Sequence, residues 1–460
     1  MTTLVWFRDD LRTDDHPALA AAASDPGGVV ALYVLDEVSA GVRPLGGATK
    51  WWLHHSLESL AAGLEALGVP LVLRRGAAGE VVPAVARELG ADRVLWNRRY
   101  GAAERRVDAA LKQGLRESGL DAHSFAGSLL FEPWTITTKT GGPYRVYSPF
   151  WRACLASPPP RTPIAVPVFA DPPAAVAATM AAVPSDALSD WQLLPTHPDW
   201  AAEFGAHWQP GEPAARARLS EFLAARAHRY ASERDLPASD ATSGLAPHLR
   251  FGEISPQRVW HESLASGADV GMFLSELGWR EFAWHTYFHR PDLATQNLDR
   301  RFDAFPWRED AGESLASWQQ GRTGIPLVDA GMRELWRSGT MHNRVRMVVA
   351  SFLVKNLLVD WREGEAWFWD TLVDADAASN PFNWQWVAGC GADAAPYFRI
   401  FNPVTQQQKF DSGGTYVDRW APDSVLTPPM VDLRATRVRA LAAFDRVKSQ
   451  ALGGDPHFST

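Results

Sequence analysis

Thr3–Leu35 reads TLVWFRDDLRTDDHPALAAAASDPGGVVALYVL, and two apolar runs within it, TLVWF (Thr3–Phe7) and VVALYVL (Val29–Leu35), decide the fold of the first part of the chain. Continuous β-branched and aromatic runs of this length are the pattern of strands covered on both faces. Further along, PLVLR (Pro70–Arg74) and RVLWN (Arg93–Asn97) repeat it, and helical patterns fill the intervals at Lys50–Leu67, Gly79–Leu89 and Ala102–Ser118. Strands alternating with helices predict an α/β domain over residues 1–130, built on a doubly wound, Rossmann-like parallel sheet. WFRDDLR stands where a dinucleotide-binding turn would place its glycines, so that fingerprint is missing.

From Ser157 the chain turns Pro/Ala-rich (SPPPRTPIAVPVFADPPAAV) until Pro195, too poor in apolar residues for a core of its own. It predicts an extended interdomain connector within residues 131–211. Beyond Glu212 the periodicity is helical, at Glu212–Arg229, Val270–Phe288, Ile325–Arg337, Arg344–Leu358 and Ala435–Lys448. An all-α domain over residues 212–460 follows.

Composition narrows the function. A chain of 460 residues exceeds one core and predicts at least two domains. No run of 18 apolar residues occurs, and the opening MTTLVWFRDDLRTDDH lacks the basic-then-apolar order of a signal peptide, so no membrane association and a cytoplasmic location are expected. Two cysteines, Cys154 and Cys390, exclude a disulfide framework and a cysteine zinc site. A net charge of −8 argues against indiscriminate coating of nucleic acid but leaves room for a local basic patch. The 21 tryptophans suit core packing, base stacking or passage of single electrons alike.

Four motifs carry chemistry. Val373–Pro403 (VDADAASNPFNWQWVAGCGADAAPYFRIFNP) sets Asp374, Asp376, Asn380, Trp384 and Trp386 beside a Gly/Ala-rich approach, which suits a buried, electron-rich cofactor better than hydrolysis. Neither histidines nor further carboxylates cluster around the two acids, so no metal site is expected. Thr340–Met347 (TMHNRVRM) puts Asn343 and Met347 on one helix face with Arg346 adjacent and Arg344 elsewhere; a methionine at that spacing is ordinarily core filler. Phe273–Phe282 (FLSELGWREF) aligns Glu276, Trp279 and Arg280 at i, i+3 and i+4, which by itself reads as a surface ion pair beside a core indole. Within Tyr230–Pro256, the small, hydroxyl-bearing loop Asp240–Ala246 precedes a helical stretch, an N-cap as readily as an anion site.

Together these motifs resemble those of the DNA photolyase/cryptochrome family, from WFRDDLR through Ala435–Lys448, most specifically between Tyr230 and Phe410. The resemblance implies an N-terminal antenna domain, a helical FAD-binding domain, and a monomer acting on UV-damaged DNA that carries pyrimidine dimers. It implies FAD contacts from Tyr230, Thr242, Ser243, Gly244, Leu245, Ala246, Trp279, Arg280, Asn343, Arg346, Asp374, Asp376 and Asn380. Ala246 stands where the family loop commonly ends in serine, which removes one hydroxyl contact. Glu276 and Asn343 would hydrogen-bond the lesion, Trp279, Met347 and Trp386 would line its pocket, and Trp384, Trp361 and Trp307 would relay electrons to oxidised flavin. Arg234, Glu276, Arg280, Asn343, Arg344, Arg399, Gln406 and Lys409 would face DNA.

Within the family the lesion set is similar to that of the common microbial class I enzymes for cyclobutane pyrimidine dimers, in which excited, fully reduced flavin passes one electron to a flipped-out dimer. Enzymes for (6-4) photoproducts place histidines where this chain has Asn343 and Met347. The runner-up is a cryptochrome, with the same flavin and relay serving blue-light signalling without repair. For the antenna, Ala103, Ala294 and Thr295 replace folate-contact residues of some relatives and only Glu104 matches, so a deazaflavin, a second flavin or no antenna is expected before a folate. The segment from Trp420 to Pro428 is shorter than is usual between these last helices.

Overall fold

The apolar runs form strands, and the glycines and polar residues between them turn the chain into helices on both sheet faces. The structure, a computed structural model, describes residues 2–451 apart from 24, 26, 172–173 and 395–397. Strands β1 (Thr3–Phe7), β2 (Val29–Leu35), β3 (Leu71–Arg75), β4 (Arg93–Asn97) and β5 (Asp121–Phe125) make one parallel sheet in the order β3-β2-β1-β4-β5. Thr3 pairs with Val29 on one side and Arg93 on the other, so the winding reverses at β1. Every residue of β1 and β2 is buried, as unbroken apolar runs require. Helices α1 (Pro17–Ala22), α2 (Gly47–Glu65), α3 (Ala78–Leu89) and α4 (Ala102–Glu117) connect the strands. The fifth strand, DAHSF, escapes the sequence reading because it is an edge strand with only Ala122 buried.

The chain divides into two compact units, Met1–Thr137 with Arg152–His228 and Ser243–Glu281, and Thr138–Trp151 with Arg229–Thr242 and Phe282–Thr460. In the first, the loop after β1 is a buried polar hub. Arg12, 1% exposed, donates from Nη1 to Gly252 O (2.8 Å) and from Nη2 to Asp15 O (2.9 Å) and Gly127 O (2.8 Å). Asp15 accepts from the Ile164 N–H at 2.8 Å and from Arg161 and Ser255, while Glu212 accepts from the N–H groups of Thr13 and Asp14 at 2.7 and 3.0 Å. Gly252, at φ +64°, comes so near that a Cβ there would lie 2.2 Å from Asp9 O.

The expected extended connector is corrected in part. Residues 158–171 have no regular structure, but Ala174–Ala182 (α5) is helical, and its Met180 is buried among Leu4, Trp6, Val30 and Val82 on the sheet. An Ala-rich segment lacks a core of its own yet helps close another's, and sequence composition registers only the first fact.

The second unit is helical around Trp318, Val345, Val348, Phe352, Trp361 and Trp384. It contains the C-terminal part of α6 (Gly271–His289), then α7 (Pro326–Ser338), α8 (Asn343–Ser351), α9 (Trp361–Thr371), α10 (Ser379–Ala388) and α11 (Leu433–Ala451). Helix α8 widens into a π-turn over Phe352–Leu357, so the single helix expected to Leu358 changes pitch before it stops. No helix among the described residues is long and apolar enough to cross a membrane.

Because Met180 fills the sheet core, Met180→Ala should destabilise the first unit by about 2 kcal/mol in urea unfolding; an unchanged midpoint would mean that α5 does not dock.

Candidate active site

Helix α8 opens at His342, whose Nδ1 accepts the Arg344 N–H at 3.2 Å, the geometry of an N-cap that needs a neutral ring. Burial pushes His342 down to about 4, against the attraction of Asp235, and keeps the lone pair available. Glu334 on α7 accepts the His342 N–H at 3.2 Å and the Tyr416 hydroxyl. Burial pushes its carboxyl up to about 7, although the Tyr416 and His342 hydrogen bonds pull it the other way.

One turn along α8, Arg346 donates from Nε to Met341 O at 2.7 Å and from Nη2 to Asp374 Oδ2 at 3.0 Å. Asp374 Oδ1 is buried with no hydrogen-bond partner among the described residues. A buried carboxylate held on one oxygen and bare on the other is a docking point for a ligand N–H or O–H. Asp376 Oδ1 accepts the N–H groups of Ala378 and Ser379 at 2.8 and 2.6 Å, fixing the entry to α10. Asn380 donates through Nδ2 to Glu365 O (3.0 Å) and Glu365 Oε1 (2.9 Å), which commits its amide nitrogen and leaves its oxygen to turn the other way. Glu365, 3% exposed, is therefore the residue that orients Asn380. Asn343 is exposed and Met347 half-buried, on one face of α8 as the spacing predicts.

Trp384 and Trp361 are 2% and 0% exposed, and half-buried Trp307 packs against the same core. The close fit is made at Gly364, where a Cβ would lie 2.1 Å from Trp384 Cη2. Trp384 stands edge-on to Phe368 at 5.0 Å, and its Nε1 is a second buried atom with no partner among the described residues. Trp361 donates to Asn297 Oδ1 at 2.9 Å. Trp386 stacks on Phe401 at 6.3 Å beneath the Arg399 guanidinium at 5.2 Å. Arg344 pairs with Asp235 Oδ2 at 2.6 Å and lies over Phe410, which also faces Lys409. Arg234 lies over Tyr230 at 5.4 Å, and Gln406 Oε1 is buried without a partner among the described residues.

In the first unit, Glu276, Trp279 and Arg280 are half-buried on α6. Arg280 donates to Ser128 O at 3.1 Å and Leu249 O at 3.4 Å, which fixes its guanidinium. Its neighbour Glu281 accepts the Phe131 N–H at 3.1 Å, and burial pushes that carboxyl up to about 7 against the pull of Arg280. In the loop before residue 247, Gly244 takes φ +64°, and a Cβ there would lie 2.5 Å from Arg218 Nη1. Ser243 Oγ accepts the Leu245 N–H at 3.4 Å. A hydroxyl-rich loop against a guanidinium suits an anion. Arg218, Glu334 and Glu365 were missed by sequence reasoning: each acts through a neighbour that no spacing connects to it.

A parallel-sheet unit, with a helical unit whose bare carboxylate, oriented amide and buried indoles fit a flavin, defines a FAD-binding flavoprotein. Residues 273–430 match the family described as the FAD binding domain of DNA photolyase, and residues 3–168 match that described as DNA photolyase. The chain is similar to a deoxyribodipyrimidine photo-lyase of Agrobacterium fabrum, 49% identical over 97% of this chain and 98% of that one. It is 36% identical to Cryptochrome-1 of Arabidopsis thaliana over 92% of this chain and 63% of that one. The crystal structure of a class III photolyase from Agrobacterium tumefaciens superimposes with a TM-score of 0.91, at 48% identity over 97% of this chain and 98% of that one. The chain belongs to the DNA photolyase/cryptochrome family.

Glu334 has a folded pKa above its ordinary 4.5, so its contribution to stability is full below that value and is lost as pH rises through 7. Relative to Glu334→Gln, the wild type should lose about 1.4 kcal/mol per pH unit across that window; denaturant unfolding at about pH 5 and about pH 8 measures it, and parallel curves would place Glu334 in contact with water.

Proposed function

We propose that the protein is a light-driven repair enzyme that splits cyclobutane pyrimidine dimers in DNA, of the class III kind in place of the class I kind expected from the lesion motif. The bare, buried Asp374 Oδ1 beside Arg346 is the observation that carries the flavin part of this reading. The likeness to the class III photolyase over nearly the whole chain supports the class. FAD bound in its reduced state supplies, under blue light, the electron that opens the cyclobutane ring and then recovers it.

The chain's own residues do the rest. Asp374 would accept a ring N–H of the cofactor through its bare Oδ1, with Arg346 anchoring its other oxygen. Asn380, oriented by Glu365, presents its oxygen to the ring, where a fixed carboxylate would repel negative charge. The loop from Thr242 to Ala246 with Arg218 receives a phosphate, and backbone donors serve where Ala246 has no hydroxyl. Trp386, stiffened by Phe401 and Arg399, offers a stacking face to an extruded base. Asn343 would donate to a carbonyl oxygen of the dimer as negative charge develops there, Glu276 would hydrogen-bond the lesion, and Trp279 and Met347 would offer it apolar surface. Trp384, Trp361 and Trp307 lead from a buried position toward the surface and return electrons to oxidised cofactor. Arg344, steadied by its pair with Asp235, and exposed Arg399 and Lys409 meet phosphates of the strand.

Blue-light repair of a thymine-dimer oligonucleotide tests the reading. Glu276→Ala should lower repair yield roughly tenfold, the loss of one hydrogen bond to the lesion at about 1.5 kcal/mol. Bound, photoreducible flavin with no repair by the wild type would move the protein to the cryptochrome reading. In a salt titration of dimer binding, Arg399→Ala should reduce the slope by about 0.9, one phosphate contact; an unchanged slope would remove Arg399 from the DNA surface.

A further inference from the structure

Helix α2 begins with KWWLHHSLES at Lys50–Ser59 and carries two adjacent histidines one turn ahead of a glutamate. At about 100° per residue, His54 (i−4) and His55 (i−3) fall on either side of the azimuth of Glu58, so both rings reach toward one carboxylate. The structure bears this out: His54 Nε2 is 3.4 Å from Glu58 Oε1 and His55 Nδ1 is 2.9 Å from Glu58 Oε2. One ligand atom from each residue lies within 4.8 Å of the other two. The rings stand nearly perpendicular, at 87° with centroids 5.2 Å apart, so their nitrogens converge without stacking. Trp51, edge-on to His55 at 4.8 Å, holds that ring from the side of the preceding turn.

We propose that His54, His55 and Glu58 bind a divalent first-row transition metal of the zinc, cobalt, nickel or copper class. Metal–nitrogen and metal–oxygen bonds of about 2.0–2.1 Å give a tetrahedral edge of about 3.3 Å. The nitrogen–oxygen separations, 3.4 Å to Oε1 and 2.9 Å to Oε2, are near that edge, and the three ligand atoms lie within 4.8 Å of one another, so rotation of Glu58 and the rings admits the ion. Two imidazoles and one carboxylate select this class over calcium or magnesium, which take all-oxygen shells. Three protein ligands leave a position open. His55 and Glu58 also line a cleft of about 630 Å³ walled by Trp51 and Trp208, so the open position faces space large enough for water or a small anionic ligand. None of the three residues takes part in the flavin, lesion or relay assignments, so the site is independent of them.

The sequence reading weighed a metal at the cysteines and around Asp374 and Asp376, and expected none. An adjacent pair of histidines escapes a search for spaced ligands, because only helical geometry brings both to Glu58.

Tag-free, flavin-loaded, chelator-treated protein titrated with zinc chloride alone tests the proposal. Calorimetry should find one saturable equivalent at micromolar affinity or tighter, and X-ray absorption at the zinc edge should find imidazole scattering from two histidines. Glu58→Gln, isosteric and on the helix surface, should weaken binding roughly tenfold or more, and the His54→Ala/His55→Ala pair should abolish it. Flavin content equal to wild type establishes that each variant is folded. No saturable uptake, or uptake unchanged in Glu58→Gln and in the double variant, overturns the proposal.

Discussion

The buried guanidinium of Arg12 is the constraint around which the first unit is arranged. A charged group at 1% exposure is tolerable only when its N–H groups are satisfied, and Arg12 spends them on carbonyls of Asp15, Gly127 and Gly252. Those three acceptors come from the loop after β1, from the segment following β5 and from the far side of the connector. The loop that carries Arg12 occupies the place where nucleotide-binding relatives of the doubly wound fold keep a glycine turn for phosphate. Here that space is filled by protein carbonyls and carboxylates.

In the second unit the governing constraint is close approach. Gly331 lets α7 meet α8, since a Cβ there would stand 2.4 Å from Val345 Cγ1, and Gly364 lets the Trp384 indole lie directly on α9. With the helices pinned in this way, Glu334 reaches the N-terminus of α8 and Arg346 reaches Asp374. The polar chain from Tyr416 through Glu334 to the His342 backbone thus fixes the N-terminus of α8. Burial strengthens such a chain and makes each of its members costly to lose.

Sequence reading captured what local chemistry determines. TLVWF, VVALYVL and RVLWN announced strands because full burial demands unbroken apolar runs, and the helices of the second unit announced themselves by their period. It failed where tertiary context decides. DAHSF is a strand only because β4 offers it an edge, and Ala174–Ala182 is ordered because Met180 finds the sheet. The motifs around Asn343, Asp374 and Asn380 were legible as a set through family resemblance. Arg218, Glu334 and Glu365 were not, since their meaning lies in what they touch at separations of 15 to 82 residues.

The hub around Arg12 also sets a schedule. Its partner Gly252, like the Ser255 partner of Asp15, lies 240 residues downstream. A ribosome adding about 5–20 residues per second would deliver them roughly 12 to 48 s after Arg12 itself. Until then the guanidinium has water in place of one of its three carbonyl partners. The earliest-made strands of this protein thus carry a charged loop whose enclosure is completed only by much later sequence of the same unit.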